Sequence, residues 1–128
     1  MAFVLTLHSI VRWLVVIVAV IAVVRYALVM AGRAQPSGMD RGLMSGYTGL
    51  LDVNVLLGLI LIIGLGFTLP AIEHAVTNVV GVAVAHIFAR RARKPTDEKA
   101  AARQRLIGVV VSILIIVVGV AIVGGWGR

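Results

Sequence analysis

The chain of 128 residues has no cysteine, only three prolines and little charge: 13% of its residues are charged and five are acidic. Without cysteine it has no disulfide, thiolate metal site, covalent haem-attachment motif or thiol nucleophile. A soluble domain carries about 25% charged residues, whereas 61% of this chain is hydrophobic. This composition excludes a soluble globular domain, and it excludes disorder, which requires low hydrophobicity.

Four apolar runs divide the sequence, and they predict helices at about residues 9–31, 47–69, 72–91 and 97–123. Each run is long enough to cross about 30 Å of hydrocarbon as a helix. In lipid a helix satisfies its own backbone groups, and the runs lack the alternation of barrel strands. We therefore predict an all-α integral membrane four-helix bundle in which residues 1–128 form a single transmembrane domain.

Positive charge is concentrated in two of the three predicted loops, and the formal net charge is +7. The first loop carries Arg33 and Arg41, the third is the basic segment Arg90–Arg105, and the second carries only Glu73. Because cytoplasmic loops of membrane proteins are enriched in Lys and Arg, this asymmetry places both termini on the outer side. We predict a multi-pass protein of the bacterial inner (cytoplasmic) membrane.

The basic segment Arg90–Arg105 also indicates which partners to expect. Anionic lipid headgroups, or the cytoplasmic surface of a larger membrane complex, attract such a segment. Nucleic acid is not expected, because no aromatic residue interleaves with the basic cluster. The predicted partners are therefore the lipid bilayer, its anionic headgroups and a larger membrane protein complex.

Ionisable residues lie inside the apolar runs, where they are costly and point to function. Arg25 and Asp52 lie about six residues from the inner ends of the first two predicted helices, so they share a depth. We predict a structural ion pair between Arg25 and Asp52, because each charge offsets part of the cost of burying the other. In an alternative interpretation Asp52 and His86 form a proton or ion relay.

Two histidines lie near the outer ends of different predicted helices. His8 and His74 share a depth, and Arg12 follows His8 by one helical turn. Two imidazoles from facing helices, with an arginine for a propionate, are what a bis-histidine b-type haem requires. His8, His74 and Arg12 are therefore candidate haem-binding residues, with haem b as the candidate cofactor. The alternative is that both histidines hydrogen-bond at the interface to Glu73, Ser9 or water.

The fourth run, residues 106–123, has no charge and only Ser112 as a polar side chain. This pattern predicts a helix that faces lipid or the apolar wall of a larger partner. The sequence has no Walker loop, HExxH, GxSxG or carboxylate pair suited to acid–base chemistry. No catalytic residue and no metal site is predicted, and we do not expect the chain to be an enzyme on its own.

Five segments spread over nearly the whole chain form a further pattern: residues 7–13 (LHSIVRW), 49–58 (GLLDVNVLLG), Glu73-His74, Ala85-His86 and 124–126 (GGW). In these segments the chain resembles small four-helix bacterial membrane proteins labelled cytochrome b-like. The label implies haem. The resemblance also implies an accessory subunit of a bacterial electron-transfer complex that oxidises quinol or takes part in photosynthesis.

The sequence thus leads to three functional hypotheses. The first is a small accessory or structural subunit of a bacterial respiratory or photosynthetic, quinol-oxidising electron-transfer complex. The second is an electron carrier that binds b-type haem or quinone through His8 and His74. The third is a small proton or ion transporter that uses Asp52 and His86.

Overall fold

The computed structural model describes residues 1–122, and these residues form four helices and no strand. Each helix is long and apolar enough to cross a membrane, so the predicted all-helical architecture is confirmed. The predicted end of the fourth helix at residue 123, and residues 124–126 of the family resemblance, lie outside the described residues. The helices are α1 (Ala2–Met30), α2 (Gly38–Leu65), α3 (Leu69–Arg91) and α4 (Glu98–Ile122).

The four helices pack in chain order around a closed ring: α1 on α2, α2 on α3, α3 on α4, and α4 back on α1. α1 and α3 therefore lie diagonally across the bundle. The core side of α1 carries Val15, Ala19, Ala22 and Tyr26, whose spacing of three and four residues is that of one helix face. Large apolar side chains are exposed on the outer faces of all four helices, which is typical of helices surrounded by lipid.

The start of α2 differs from the sequence prediction, because the helix begins at Gly38 and not at residue 47. Ser37 is the N-cap, and its hydroxyl accepts a hydrogen bond from the amide of Met39 at 3.3 Å. The carboxylate of Asp40 accepts a hydrogen bond from the amide of Ser37 at 3.1 Å, which completes a capping box. The prediction followed the apolar run, whereas the capping box starts the helix in the polar segment before it.

α3 and α4 pack most closely, and glycine lies at three points of their contact. A Cβ atom at Gly108 would lie 2.5 Å from Cβ of Phe88, and one at Gly119 would lie 2.8 Å from Oδ1 of Asn78. Gly81 on α3 approaches α4 equally closely. Small residues let helix backbones approach each other where lipid provides no hydrophobic driving force, so these glycines set the distance between α3 and α4.

α4 is the most enclosed helix of the bundle, although the sequence predicted that it faces lipid or a larger partner. In the apolar stretch of 18 residues that could cross a membrane, 39% of the residues of α4 are buried, against 11–28% in the other three helices. Its polar side chain Ser112 is fully buried and hydrogen-bonds to the hydroxyl of Tyr47 on α2, with 2.6 Å between the oxygens. The other face of α4 is exposed, with Leu114 at 60% and Val118 at 59%, so the contact of α4 with lipid or a larger partner stays a prediction.

We expect Gly108→Ala to destabilise the bundle, because the new methyl group would overlap the side chain of Phe88. Overpacking of this kind costs about 1–3 kcal/mol. Gly46→Ala is the matched control, since a Cβ at Gly46 meets no atom within 4 Å and alanine favours a helix over glycine by about 1 kcal/mol. Thermal unfolding in detergent should give a lower Tm for Gly108→Ala only. An equal Tm for the two variants would contradict the close α3–α4 contact.

Candidate cofactor site

A cavity of about 340 Å³ lies between α1, α2 and α3 at the end of the bundle formed by the α2–α3 loop, residues 66–68. We call it the histidine cavity. Its volume falls within the range of about 300–1,000 Å³ that small-molecule sites occupy. Its walls are mainly apolar, and a few polar side chains converge on it: His8, Ser9, Arg12, Asn54, Thr68, His74 and Asn78.

His8 and His74 meet inside this cavity, as their equal predicted depth required. Their ring centroids are 6.4 Å apart and their ring planes are inclined by 79°. The two histidines belong to α1 and α3, which are not neighbours in the ring of helices. The contact therefore crosses the centre of the bundle, where cofactor sites of helix bundles are built from side chains on facing helices.

His74 is fixed in one orientation and one tautomer by its hydrogen bonds. Its Nδ1 atom lies 2.7 Å from the carbonyl oxygen of Gly119 on α4. Because a carbonyl oxygen only accepts, Nδ1 carries the proton and donates it. The Nε2 atom therefore has the lone pair, and it accepts a hydrogen bond from the side-chain amide of Asn78 at 3.0 Å. A histidine that ligates a metal is commonly oriented in this way, by donating its other N–H to a backbone carbonyl.

Three buried polar atoms at the histidine cavity have no hydrogen-bond partner among the described residues: Nδ1 of His8, Oδ1 of Asn54 and Oδ1 of Asn78. Buried polar groups are nearly always satisfied in native proteins, by protein atoms, water or a ligand. Three such atoms around one cavity indicate that it holds polar or metal-binding groups from outside the chain.

Arg12 lines the histidine cavity one helical turn below His8, and it also lines a small adjoining cavity of about 20 Å³. Gly58 on α2 lies beside the His8 ring, where a Cβ atom would stand 3.4 Å from Cε1 of His8. A larger side chain at Gly58 would project into the space next to the ring. The three predicted residues His8, Arg12 and His74 are thus brought together around one open volume.

His8 and His74 are the residues of this cavity that would hold a bis-imidazole metal centre. Each would have to present a ring nitrogen to the same point in the cavity, at about 2.0–2.1 Å from the ion. In the structure the two rings meet edge to face, with their centroids 6.4 Å apart. The unpartnered Nδ1 of His8 and the carbonyl-anchored His74 supply the donor atoms and the orientation that such a centre requires.

Asn54 belongs to this site, although Asp52, two residues before it on the second predicted helix, was expected near the inner ends of the helices. The error has the same origin as the predicted start of α2, which was too late: with a first residue at Gly38, Asn54 lies just past the middle of the helix. Asn54 and Gly58 are separated by four residues, which puts them on one face. That spacing is the signal in the sequence that relates Asn54 to the cavity.

Asp52 and His86, the residues of the predicted relay, are in direct contact. The Nε2 atom of His86 lies 2.8 Å from Oδ1 of Asp52, and their side chains are 49% and 52% exposed. His86 is twelve residues from His74 on α3, which corresponds to about 18 Å along the helix axis. This pair therefore forms a second polar level, separate from the histidine cavity, and its role in proton or ion transfer stays a prediction.

The predicted ion pair between Arg25 and Asp52 is wrong, because Arg25 pairs with Asp40. The Nε atom of Arg25 lies 2.7 Å from Oδ1 of Asp40, and the Asp40 side chain is 3% exposed. The hydroxyl of Tyr26 donates to the backbone carbonyl of the same aspartate at 2.7 Å. Since α2 begins at Gly38, Asp40 lies opposite the end of α1, and Asp52 is about 18 Å farther along the axis.

Comparison with family models, with curated proteins and with solved structures finds no match to this chain. The resemblance to cytochrome b-like proteins therefore stays a prediction.

We expect Asp40→Ala to destabilise the protein strongly and Asp52→Ala to leave its stability nearly unchanged. Removing Asp40 leaves Arg25 without its carboxylate and removes half of the capping box, and breaking a buried pair costs about 3–5 kcal/mol. Asp52 is half exposed and pairs with the half-exposed His86, and exposed ion pairs contribute only about 0–1 kcal/mol. Thermal unfolding in detergent separates the two variants. A larger loss of Tm in Asp52→Ala would favour the pairing of Arg25 with Asp52.

Proposed function

We propose that this chain is a small membrane-embedded electron carrier that binds b-type haem between His8 and His74. The observation that carries the proposal is the meeting of these two imidazoles, from diagonal helices, at a centroid separation of 6.4 Å in a mainly apolar cavity. When bound, haem supplies reversible one-electron transfer at its iron, and the protein sets the potential through ligands, hydrogen bonds and burial.

In this proposal His74 is the ligand that the bundle holds most firmly. The hydrogen bond from its Nδ1 to the Gly119 carbonyl directs Nε2 toward the cavity and increases the basicity of that nitrogen. Ligation through Nε2 requires the Asn78 amide to leave this atom, because the single lone pair of Nε2 serves one partner at a time. Asn78 therefore occupies Nε2 of His74 until haem binds, and removal of the Asn78 amide would free this nitrogen for ligation.

His8 and Arg12 would complete the site from α1. His8 already has a buried ring nitrogen without a hydrogen bond among the described residues, so ligation would satisfy that atom. Arg12 lines the same cavity, and its guanidinium is suited to a propionate because arginine binds carboxylates through two parallel hydrogen bonds. The chain thus contributes two neutral ligands and one positive charge.

The proposal places the protein in the bacterial inner membrane, with the basic loops in the cytoplasm and both termini on the outer side. The distribution of Lys and Arg between the loops supports this orientation. The histidine cavity would then lie near the outer surface. Electron exchange would take place with redox partners or quinol at that surface.

The decisive experiment is an absorption spectrum of the detergent-purified protein from haem-replete cells, oxidised and then reduced with dithionite. We expect a Soret band that shifts on reduction and an α-band in the reduced state. Both bands should be lost in His8→Ala and in His74→Ala. His86→Ala is the matched control: it removes the third histidine of the chain, which lies outside the cavity, and it should keep both bands.

Asn78→Ala tests in the same assay whether the hydrogen bond from Asn78 competes with haem for Nε2 of His74. This variant should bind haem at least as tightly as the wild type, because it frees Nε2 of His74. A flat visible spectrum of the wild type, also after addition of haem to the purified protein, would overturn the proposal. Co-purification of such a colourless protein with a large redox complex would instead favour the accessory-subunit hypothesis.

A further inference from the structure

A second and larger cavity lies at the opposite end of the bundle, between α2, α3 and α4, and has a volume of about 700 Å³. We call it the basic cavity. None of the described residues that line it is acidic. Its positively charged lining residues are Arg41, Arg90, Arg91, Arg93, Lys94 and Arg105.

Arg105 is the residue that distinguishes this cavity from an ordinary basic loop. It lies on the core face of α4 and is only 6% exposed. Among residues 1–122 it has neither a carboxylate within 4.0 Å nor a hydrogen-bond partner. No nitrogen of Arg105 is among the buried polar atoms that lack a partner, so the guanidinium opens into the cavity while most of the residue is enclosed. The position of Arg105 is therefore explained if an anion from outside the chain enters the cavity.

Two further arginines meet Arg105 at one place. Arg41 at the start of α2, Arg93 after α3 and Arg105 on α4 line both the basic cavity and an adjoining cavity of about 550 Å³. Three chain segments thus direct arginine toward one volume. Guanidinium groups bind phosphate oxygens through paired hydrogen bonds, so a convergent set of arginines favours a phosphate group over a monovalent halide.

Three of the four carboxylates near this end of the bundle are engaged elsewhere. Asp40 pairs with Arg25, and Asp52 hydrogen-bonds to His86. Asp97 accepts a hydrogen bond from the backbone amide of Lys99 at 3.0 Å. Glu98 lines the adjoining cavity, but it forms no salt bridge with a described residue. Glu98 is thus the one nearby carboxylate among the described residues without a partner, against the three arginines Arg41, Arg93 and Arg105 that line the same adjoining cavity.

The other wall of the basic cavity is apolar and reaches the outer surface of the bundle. It includes Met44, Ala83, Ile87 and Ala89, and Ile87 is 54% exposed on α3. A ligand with an anionic head and an apolar body matches both walls. Basic pockets between membrane-spanning helices bind phospholipid headgroups in this way.

We propose that the basic cavity is a binding site for the phosphate headgroup of an anionic phospholipid, with Arg105 as its central ligand and Arg41 and Arg93 beside it. The apolar wall would contact the glycerol and upper acyl region of the same lipid. This site is independent of the histidine cavity, so its test does not depend on haem binding.

The test is a titration of the purified protein in a zwitterionic detergent, followed by thermal unfolding. The probes are short-chain phosphatidylglycerol, phosphatidylcholine with the same acyl chains, and inorganic phosphate. Phosphatidylglycerol should raise the Tm of the wild type, and phosphatidylcholine should not. In Arg105→Gln the apparent affinity for phosphatidylglycerol should fall by about tenfold or more, as expected for the loss of a charge-assisted hydrogen bond.

Arg103→Gln is the matched control, because Arg103 is on the same helix, is exposed and lines neither cavity. It should respond to phosphatidylglycerol like the wild type. Without lipid, Arg105→Gln should be at least as stable as the wild type, since Arg105 forms no ion pair with a described residue that the substitution could break; a purely structural arginine would give the opposite result. If Arg105→Gln fails to fold, Arg41→Gln is measured instead, because Arg41 is exposed; this variant should also show a weaker rise in Tm with phosphatidylglycerol than the wild type.

Three outcomes would overturn the proposal. The first is an equal Tm shift with phosphatidylglycerol and phosphatidylcholine. The second is an equal lipid response in Arg105→Gln and Arg103→Gln. The third is full protection by inorganic phosphate at the same concentration as the lipid, which would assign the cavity to a free anion.

Discussion

The close approach of α3 and α4 determines the geometry of both polar sites, because it brings backbone atoms within reach of side chains. At Gly119 no side chain separates the helices, so the carbonyl oxygen of this residue reaches Nδ1 of His74. At Gly108 the backbone of α4 likewise lies directly against the side chain of Phe88 on α3. Arg105, three residues earlier, lies on the same side of α4 and is thereby buried. In lipid no hydrophobic driving force holds these two helices together, so their association depends on close van der Waals packing at the glycines.

An apolar core lies between the histidine cavity and the basic cavity, and it encloses a cavity of only about 20 Å³ beside Arg12. It contains Val15, Leu51, Ala85, Val109 and Ile116, none of which is more than 7% exposed. Tyr47 and Ser112 also lie in this core, and they satisfy each other by a hydrogen bond between two buried hydroxyl groups. The two polar ends are thus divided by tightly packed side chains. This division suits two independent binding sites better than a continuous path for ions across the bundle.

Sequence reasoning found the features that follow from helix geometry alone. The number of helices follows from the length of the apolar runs, and the meeting of His8 and His74 follows from a fixed rise per residue. It failed where a polar interaction extends a helix beyond its apolar run. The capping box of Ser37 and Asp40 starts α2 earlier than predicted, so that Asp40, and not Asp52, lies opposite Arg25. Sequence reasoning did not reveal how much of α4 is buried against the other helices, since an apolar sequence does not distinguish lipid from a protein neighbour. The burial of Arg105 was beyond prediction for the same reason.

The two proposed sites are linked mechanically through α4, because this one helix carries a contact of each. Arg105 and Gly119 are fourteen residues apart, which corresponds to about 21 Å along a helix. A lipid phosphate held at Arg105 would fix the depth of α4 relative to one leaflet. The carbonyl of Gly119, and with it the orientation of His74, would then be fixed relative to the opposite surface. Headgroup binding at one end would thereby fix the depth of the proposed haem site at the other.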